Sequence, residues 1–226
     1  MPSHKMAKYL VLLLFAWVLF APVTYGQDAP EGIRPLLMLE KPIHTVVPPE
    51  VIFLNEPNIT EQFLTNLEKR PPDWKYLYGK NVDERYDRLF DESEKRDMLR
   101  VGNPNLTQPI AFLWDGFLTN VREDKDGFGV SIGPRQIQTS WGIVRFKLAN
   151  EPREMTAMPS PKIFDVLQQK RSQKEEVSIM ILYRGTLIPE ESLMYDFSTK
   201  KEGEGMILPI VELTQVDYFL PKNEVP

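Results

Sequence analysis

The sequence predicts an α+β protein: a proline-rich N-terminal arm and a small helical block, then a five-stranded antiparallel barrel with one helix between its third and fourth strands. Three observations predict it. Prolines crowd the segment Gln27–Asn58, at positions 30, 35, 42, 48, 49 and 57, a density that stops a long helix and confines strands to edges. Apolar residues from Phe63 to Leu99 recur at helical spacing. Beyond Pro109 the apolar period changes to the alternation of half-buried strands. The expected units are a signal peptide (1–26), an extended arm (27–57), a helical block (58–104) and the barrel (105–226).

The N-terminus carries the three parts of an export signal. His4, Lys5 and Lys8 are basic, Tyr9–Phe20 is uninterrupted and apolar, and small residues at Thr24 and Gly26 suit cleavage. The apolar run is shorter than the ~20 residues that span a bilayer. Loss of residues 1–26 removes Lys5 and Lys8 and no acid, taking the formal charge from -5 to -7. There is no cysteine in the chain. That excludes disulfides, thiolate catalysis and lipid attachment at a cleaved signal, and it points to a bacterial periplasm, since small exported eukaryotic domains usually carry disulfides. Secretion, or anchoring by an uncleaved signal, is the alternative.

The arm that follows is read as extended, packing its Leu36–Leu39 and Val51–Leu54 patches on the body. Asn58 opens the helical block as an N-cap with Glu61 three residues on. Phe63, Leu64 and Leu67 form the apolar face, and Pro71-Pro72 ends the run. A second helix spans Val82–Leu99, with Val82, Tyr86, Leu89, Phe90 and the Met98–Leu99 pair at helical spacing; Gly102 and Pro104 close it. Between the helices, Trp74, Tyr76 and Tyr78 form an aromatic cluster that is either a packing seam or a binding face.

Ile110–Val121 is the first long strand, with Gly116 marking a bulge or bend. Asp126-Gly127 turns the chain, Phe128–Ile132 returns, and Gly133-Pro134 turns it again. Thr139–Ala149 makes the third strand. Ser160 and Pro161 then start a short helix with Ile163, Phe164 and Leu167 on its apolar stripe. VSIMILYRGTLI (Val177–Ile188) is too short for a membrane helix and rich in β-formers. Val177, Ile179, Ile181 and Tyr183 share one face; Ser178, Met180, Leu182 and Arg184 share the other. Both are largely apolar, so the strand faces a core on one side and is covered on the other. A turn over Lys200–Gly205 leads to a last strand, Met206–Leu220.

The order strand–strand–strand–helix–strand–strand, with glycine bends at Gly116 and Gly185, resembles the OB-fold, a five-stranded Greek-key barrel. The resemblance spans Gln108–Leu220 and rests on element order alone. It implies nucleic-acid binding by aromatic stacking in a basic groove.

Little in the chain can do covalent chemistry. Past the signal only His44 remains among histidines, in no nucleophile context. Clustered metal ligands and phosphate-cradling glycine motifs are lacking in the sequence, and Asp124–Gly127 is a turn rather than a calcium loop. Neither a cofactor nor a metal is expected. Carboxylates are the remaining catalytic option, with Asp115, Glu212 and Asp217 as candidates. The candidate binding residues are Trp74, Tyr76, Tyr78, Trp114, Trp141 and Arg184; Arg184 also fits a solvated or paired strand-end charge. The expected function is a non-enzymatic envelope module that binds a protein or glycan partner. A carboxylate-dependent polysaccharide hydrolase is the alternative. An OB-type nucleic-acid module is weaker, because the acidic balance opposes phosphate binding.

Overall fold

The computed structural model describes residues 30–81, 84–198 and 203–224. The signal segment, Val82 and part of the Lys200–Gly205 turn lie outside the described residues. Along the chain come β1 (Ile33–Leu39), β2 (Ile52–Phe53), α1 (Pro57–Glu68), α2 (Trp74–Tyr78) and α3 (Arg85–Arg100). Then follow β3 (Ile110–Arg122), β4 (Gly127–Gly133), β5 (Ile137–Thr139), β6 (Gly142–Val144), β7 (Lys147–Leu148) and β8 (Thr156–Met158). The last elements are α4 (Pro161–Ser172), β9 (Ser178–Leu187), β10 (Leu193–Phe197) and β11 (Gly205–Pro221).

The protein is a mixed α+β fold built on a closed barrel, but the barrel is not the expected five antiparallel strands. Six strands close in the order β1-β8-β4-β3-β9-β11, and β11 returns to β1. β1 runs parallel to both its neighbours, while the remaining barrel pairs are antiparallel. The closing strand comes from the proline-rich segment. Pro35 sits where β1 changes partner: Ile33–Pro35 pair with β8, and Leu36–Leu39 pair with β11. Each half of β1 thus needs one ladder, which is how a proline fits inside a closed sheet.

Three further differences have local causes. The expected third strand is broken into β5, β6 and β7, because Trp141 lies at a tight turn between β5 and β6, and Gly142 has φ +119°. β8 and β10 are only 3 and 5 residues long, too short for alternation to stand out from a loop. The first helix starts at Pro57, not after Asn58. Proline's fixed φ suits the first helical position, so Glu56 becomes the N-cap with extended backbone, and its carbonyl accepts from the Thr60 hydroxyl at 2.9 Å.

β9 is buried on both faces. Val177, Ile179, Ile181 and Tyr183 belong to the main core. On the outside, Leu182 and Met180 join Ala111, Leu113 and Phe219, covered by Leu39, Ile43, Val47, Val51 and Phe53 of the N-terminal segment. Burying side chains of that size stabilises by about 1.5–3 kcal/mol each. The glycines act by close approach rather than as simple bends. A Cβ on Gly185 would lie 2.1 Å from the Glu212 carbonyl oxygen. The register shift of β11 falls between Leu213 and Gln215, beside that contact. Gly116 pairs regularly on both sides, and its missing side chain makes room for Ile181 inside the barrel. The irregularity of β3 comes later, between Leu118 and Val121.

β11 is the spine of the molecule, pairing with β1, β6, β7, β9 and β10. Between its β7 and β1 partners the ladder is continued by a side chain. Asn150 donates from Nδ2 to the Leu213 carbonyl at 3.0 Å, and its Oδ1 accepts from the Leu213 N–H at 2.6 Å. One amide side chain thereby stands in for a strand residue.

Candidate functional site

α3 leaves most of its apolar residues in solvent. Tyr86, Phe90, Met98 and Leu99 are 62–70% exposed, and Val101 just beyond the helix is 82% exposed. The buried residues are Leu89, Arg96 and Arg100. With Ser93 they repeat at i, i+4, i+7 and i+11, the spacing of one helix face. Two guanidinium groups therefore occupy positions where leucines would be expected.

What draws them inward is a single acid. Glu68, 5% exposed, is the last residue of α1, just past its apolar face of Phe63, Leu64 and Leu67. Arg96 Nη1 donates to Glu68 Oε2 at 2.7 Å and to the Arg70 carbonyl at 3.0 Å, and its Nε donates to Glu92 at 2.8 Å. Arg100 donates to the other Glu68 oxygen, to Asp97, and from Nε to Ser192 Oγ at 2.9 Å. The Tyr195 hydroxyl from β10 also donates to Glu68. The Glu68 carboxylate is thus shared by three donor side chains. Burial works against the Arg96 charge, but Glu68, Tyr195 and Glu92 outweigh it and hold its pKa above the ordinary value. Tyr195 is pushed up by burial and then by Glu68, so its hydroxyl stays protonated. The network ties α1, α3 and β10 together, which fixes the face that α3 turns to solvent.

An aromatic layer lies beside it. Phe197 of β10 meets Tyr78 and Tyr86 edge-on, with ring centroids 5.5 and 5.8 Å away, and Trp74 at 6.5 Å. The Arg85 guanidinium sits 3.6 Å above the Tyr78 ring, a cation–π contact that orders the start of α3. Trp74 donates from Nε1 to the Trp141 carbonyl and packs its ring over the Gly205 backbone.

The exposed face is acidic as well as apolar. Asp87, Asp91 and Glu94 are exposed on it, and none has an ion pair among the described residues. Asp97 at its edge is held above the ordinary carboxylate range, mostly by burial. Arg100 pulls it back, and Glu68 and Glu94 push it up again.

The six residues singled out from sequence divide between places. Trp74, Tyr78 and the buried Trp141 meet in the seam under α2 and α3, and Tyr76 is exposed on the same side. Trp114 points into the barrel against Phe112 and Tyr183. Arg184 lies on the outer face, where its Nη2 donates to Asp217 at 2.6 Å. That pairing, with Gln215 donating to both Asp217 oxygens, occupies one of the three candidate acids. Asp115 is exposed on β3, with β9 between it and β11. Sequence reasoning missed Glu68, Arg96 and Arg100. The available signal was the recurrence of arginine at helical spacing on the only face of α3 that also holds Leu89.

Among the described residues, no group of three or more His, Asp or Glu is placed to hold a metal ion, and no helix is long and apolar enough to cross a membrane. A scan against protein-family models, a search of curated proteins and a search of solved structures each found no match.

Proposed function

We infer that the chain is an exported, non-enzymatic binding module of the bacterial envelope that docks a protein partner through the exposed face of α3. The observation that carries this reading is the exposure of apolar residues on α3 while two arginines are buried. Arg96 and Arg100 are buried at 4% and 1% exposure while Tyr86, Phe90, Met98 and Leu99 face solvent. A helix that spends its interior face on charge and leaves its apolar residues outside is shaped for contact with something else. Methionine and aromatic side chains are enriched at such contacts, and Met98 can adapt to its partner's shape.

Charge complementarity selects the occupant. Asp87, Asp91 and Glu94 lie beside Phe90 and Met98 on the exposed side of the helix, so the complement is an amphipathic segment of another protein carrying Lys or Arg beside leucine-like residues. A second copy of this chain would set these acids against their own kind. The export assignment rests on the N-terminal pattern of basic, apolar and small residues.

The test places a photo-crosslinker at Phe90 in cells that export the chain. Capture of a partner through a segment rich in Lys or Arg and apolar residues, weakened by salt and lost with Met98→Glu and Leu99→Glu, is the expected result. Crosslinking only to a second copy, or capture unchanged by the two substitutions, overturns the reading.

A further inference from the structure

The barrel has a second feature, remote in kind from the α3 face and independent of it. Alongside β6 and β7 lies a cleft of about 540 Å³, lined by Trp114, Phe146, Leu148, Met206 and Leu208, with Arg145, Lys147 and Glu151 among its polar walls. That volume falls in the range of sites for single small molecules. The chain alternates along this wall: Arg145 and Lys147 are exposed, Phe146 is buried and Leu148 half-buried. Phe146 stacks on Phe112 at 4.2 Å with the rings 13° apart, and Trp114 meets Tyr183 edge-on at 4.9 Å. The apolar wall is therefore rigid and backed by the core.

Polar groups of the residues that line this cleft are short of partners. The Trp114 indole N–H is buried and has no acceptor among the described residues. At the rim, Arg145 has no ion pair among the described residues, and the Lys147 ammonium reaches only the Met194 sulfur, at 3.7 Å. Two cations beside an aromatic wall call for an apolar molecule that brings its own anionic oxygens.

We propose that this cleft binds an amphipathic carboxylate, its apolar body against Trp114 and Phe146 and its carboxylate between Arg145 and Lys147. Glu151, also in the lining, repels the anionic end and favours its placement at the two cations. The cations are exposed, so their attraction is screened and weakens with salt. The apolar wall supplies most of the affinity, and the cations supply the preference for an acid over the matching alcohol.

Octanoate and octanol are the probes, titrated calorimetrically into the purified chain. Saturable one-to-one binding of octanoate, with octanol weaker by roughly tenfold, is expected from one charge-assisted contact. Substituting both Arg145→Gln and Lys147→Gln brings octanoate down to the octanol level and leaves octanol binding as it was. Both residues are exposed, so the variant keeps the fold. In nuclear magnetic resonance spectra, the indole proton that disappears in Trp114→Phe is the one that moves when octanoate is added. Lack of saturable binding, equal affinity for acid and alcohol, an unchanged double variant, or movement of a different indole each overturns the proposal.

Discussion

At the scale of single residues, the fold turns on polar side chains placed where apolar ones are usual. Glu68, Arg96 and Arg100 bury three charges on mutual contacts. Such groups are costly to break and easy to replace as a set. Arg100→Met leaves half of the Glu68 carboxylate uncompensated, and urea unfolding should show a loss of about 3–5 kcal/mol. A triple variant with Glu68→Leu, Arg96→Leu and Arg100→Met removes every unpaired charge and should recover most of that loss. If the single change were as mild as the triple, the network would not be what holds α3 in place. Asn150 is a second such residue. Asn150→Ala strands both the N–H and the carbonyl of Leu213 in a buried ladder and should cost about 1–3 kcal/mol per group left unpaired. Neither role could be read from the sequence. An asparagine in a loop and an arginine in a charged helix look ordinary until a partner remote in the chain, Leu213 or Glu68, is brought to them.

At the scale of elements, legibility followed length and period. β3, β9 and β11 are long, apolar and β-branched, and each lies within a residue or two of the span expected from alternation. The helix at Pro161 began where its serine and proline signals placed it. β1, β8 and β10 escaped notice because short strands obtain their stability from neighbours rather than from their own pattern. α3 shows the opposite failure: its existence was legible and its orientation was not. Leu89 is buried, but Phe90, Met98 and Leu99 are not, because the buried salt network sets the rotation of the helix. Stability measurements separate the two orientations. Leu89→Ala should cost about 2–5 kcal/mol, as expected for a buried leucine. Met98→Ala and Leu99→Ala should stay within about 0.5 kcal/mol of the parent, as at exposed sites. The apolar-stripe orientation predicts large losses at Met98 and Leu99 as well.

At the scale of the whole molecule, closure by β1 joins chain segments almost the full length apart. Leu36 pairs with Tyr218, and the Tyr218 hydroxyl donates to the Gly32 carbonyl at 2.6 Å. The barrel and the helical block share β11, since β10 and the Tyr195 network hang on its first half and β1 on its second. This arrangement gives alkaline pH a single point of attack. Tyr183, Tyr195 and Tyr218 are all raised above the ordinary tyrosine value, in each case chiefly by burial. In the unfolded chain the same hydroxyls ionise near the ordinary value of about 10. Above that pH the folded state holds more protons than the unfolded state, so stability must fall as pH rises. Below it the contribution is complete and flat. Absorbance titration of the protein follows the ionisation of these rings directly. The three buried rings should appear only in one cooperative step that coincides with loss of the β-sheet circular dichroism. Tyr218→Phe removes one of the three hydroxyls and shifts that step to higher pH if proton release drives it. A step that stayed put, or buried rings that titrated gradually before unfolding, would separate the barrel from the block and show that β11 does not couple them.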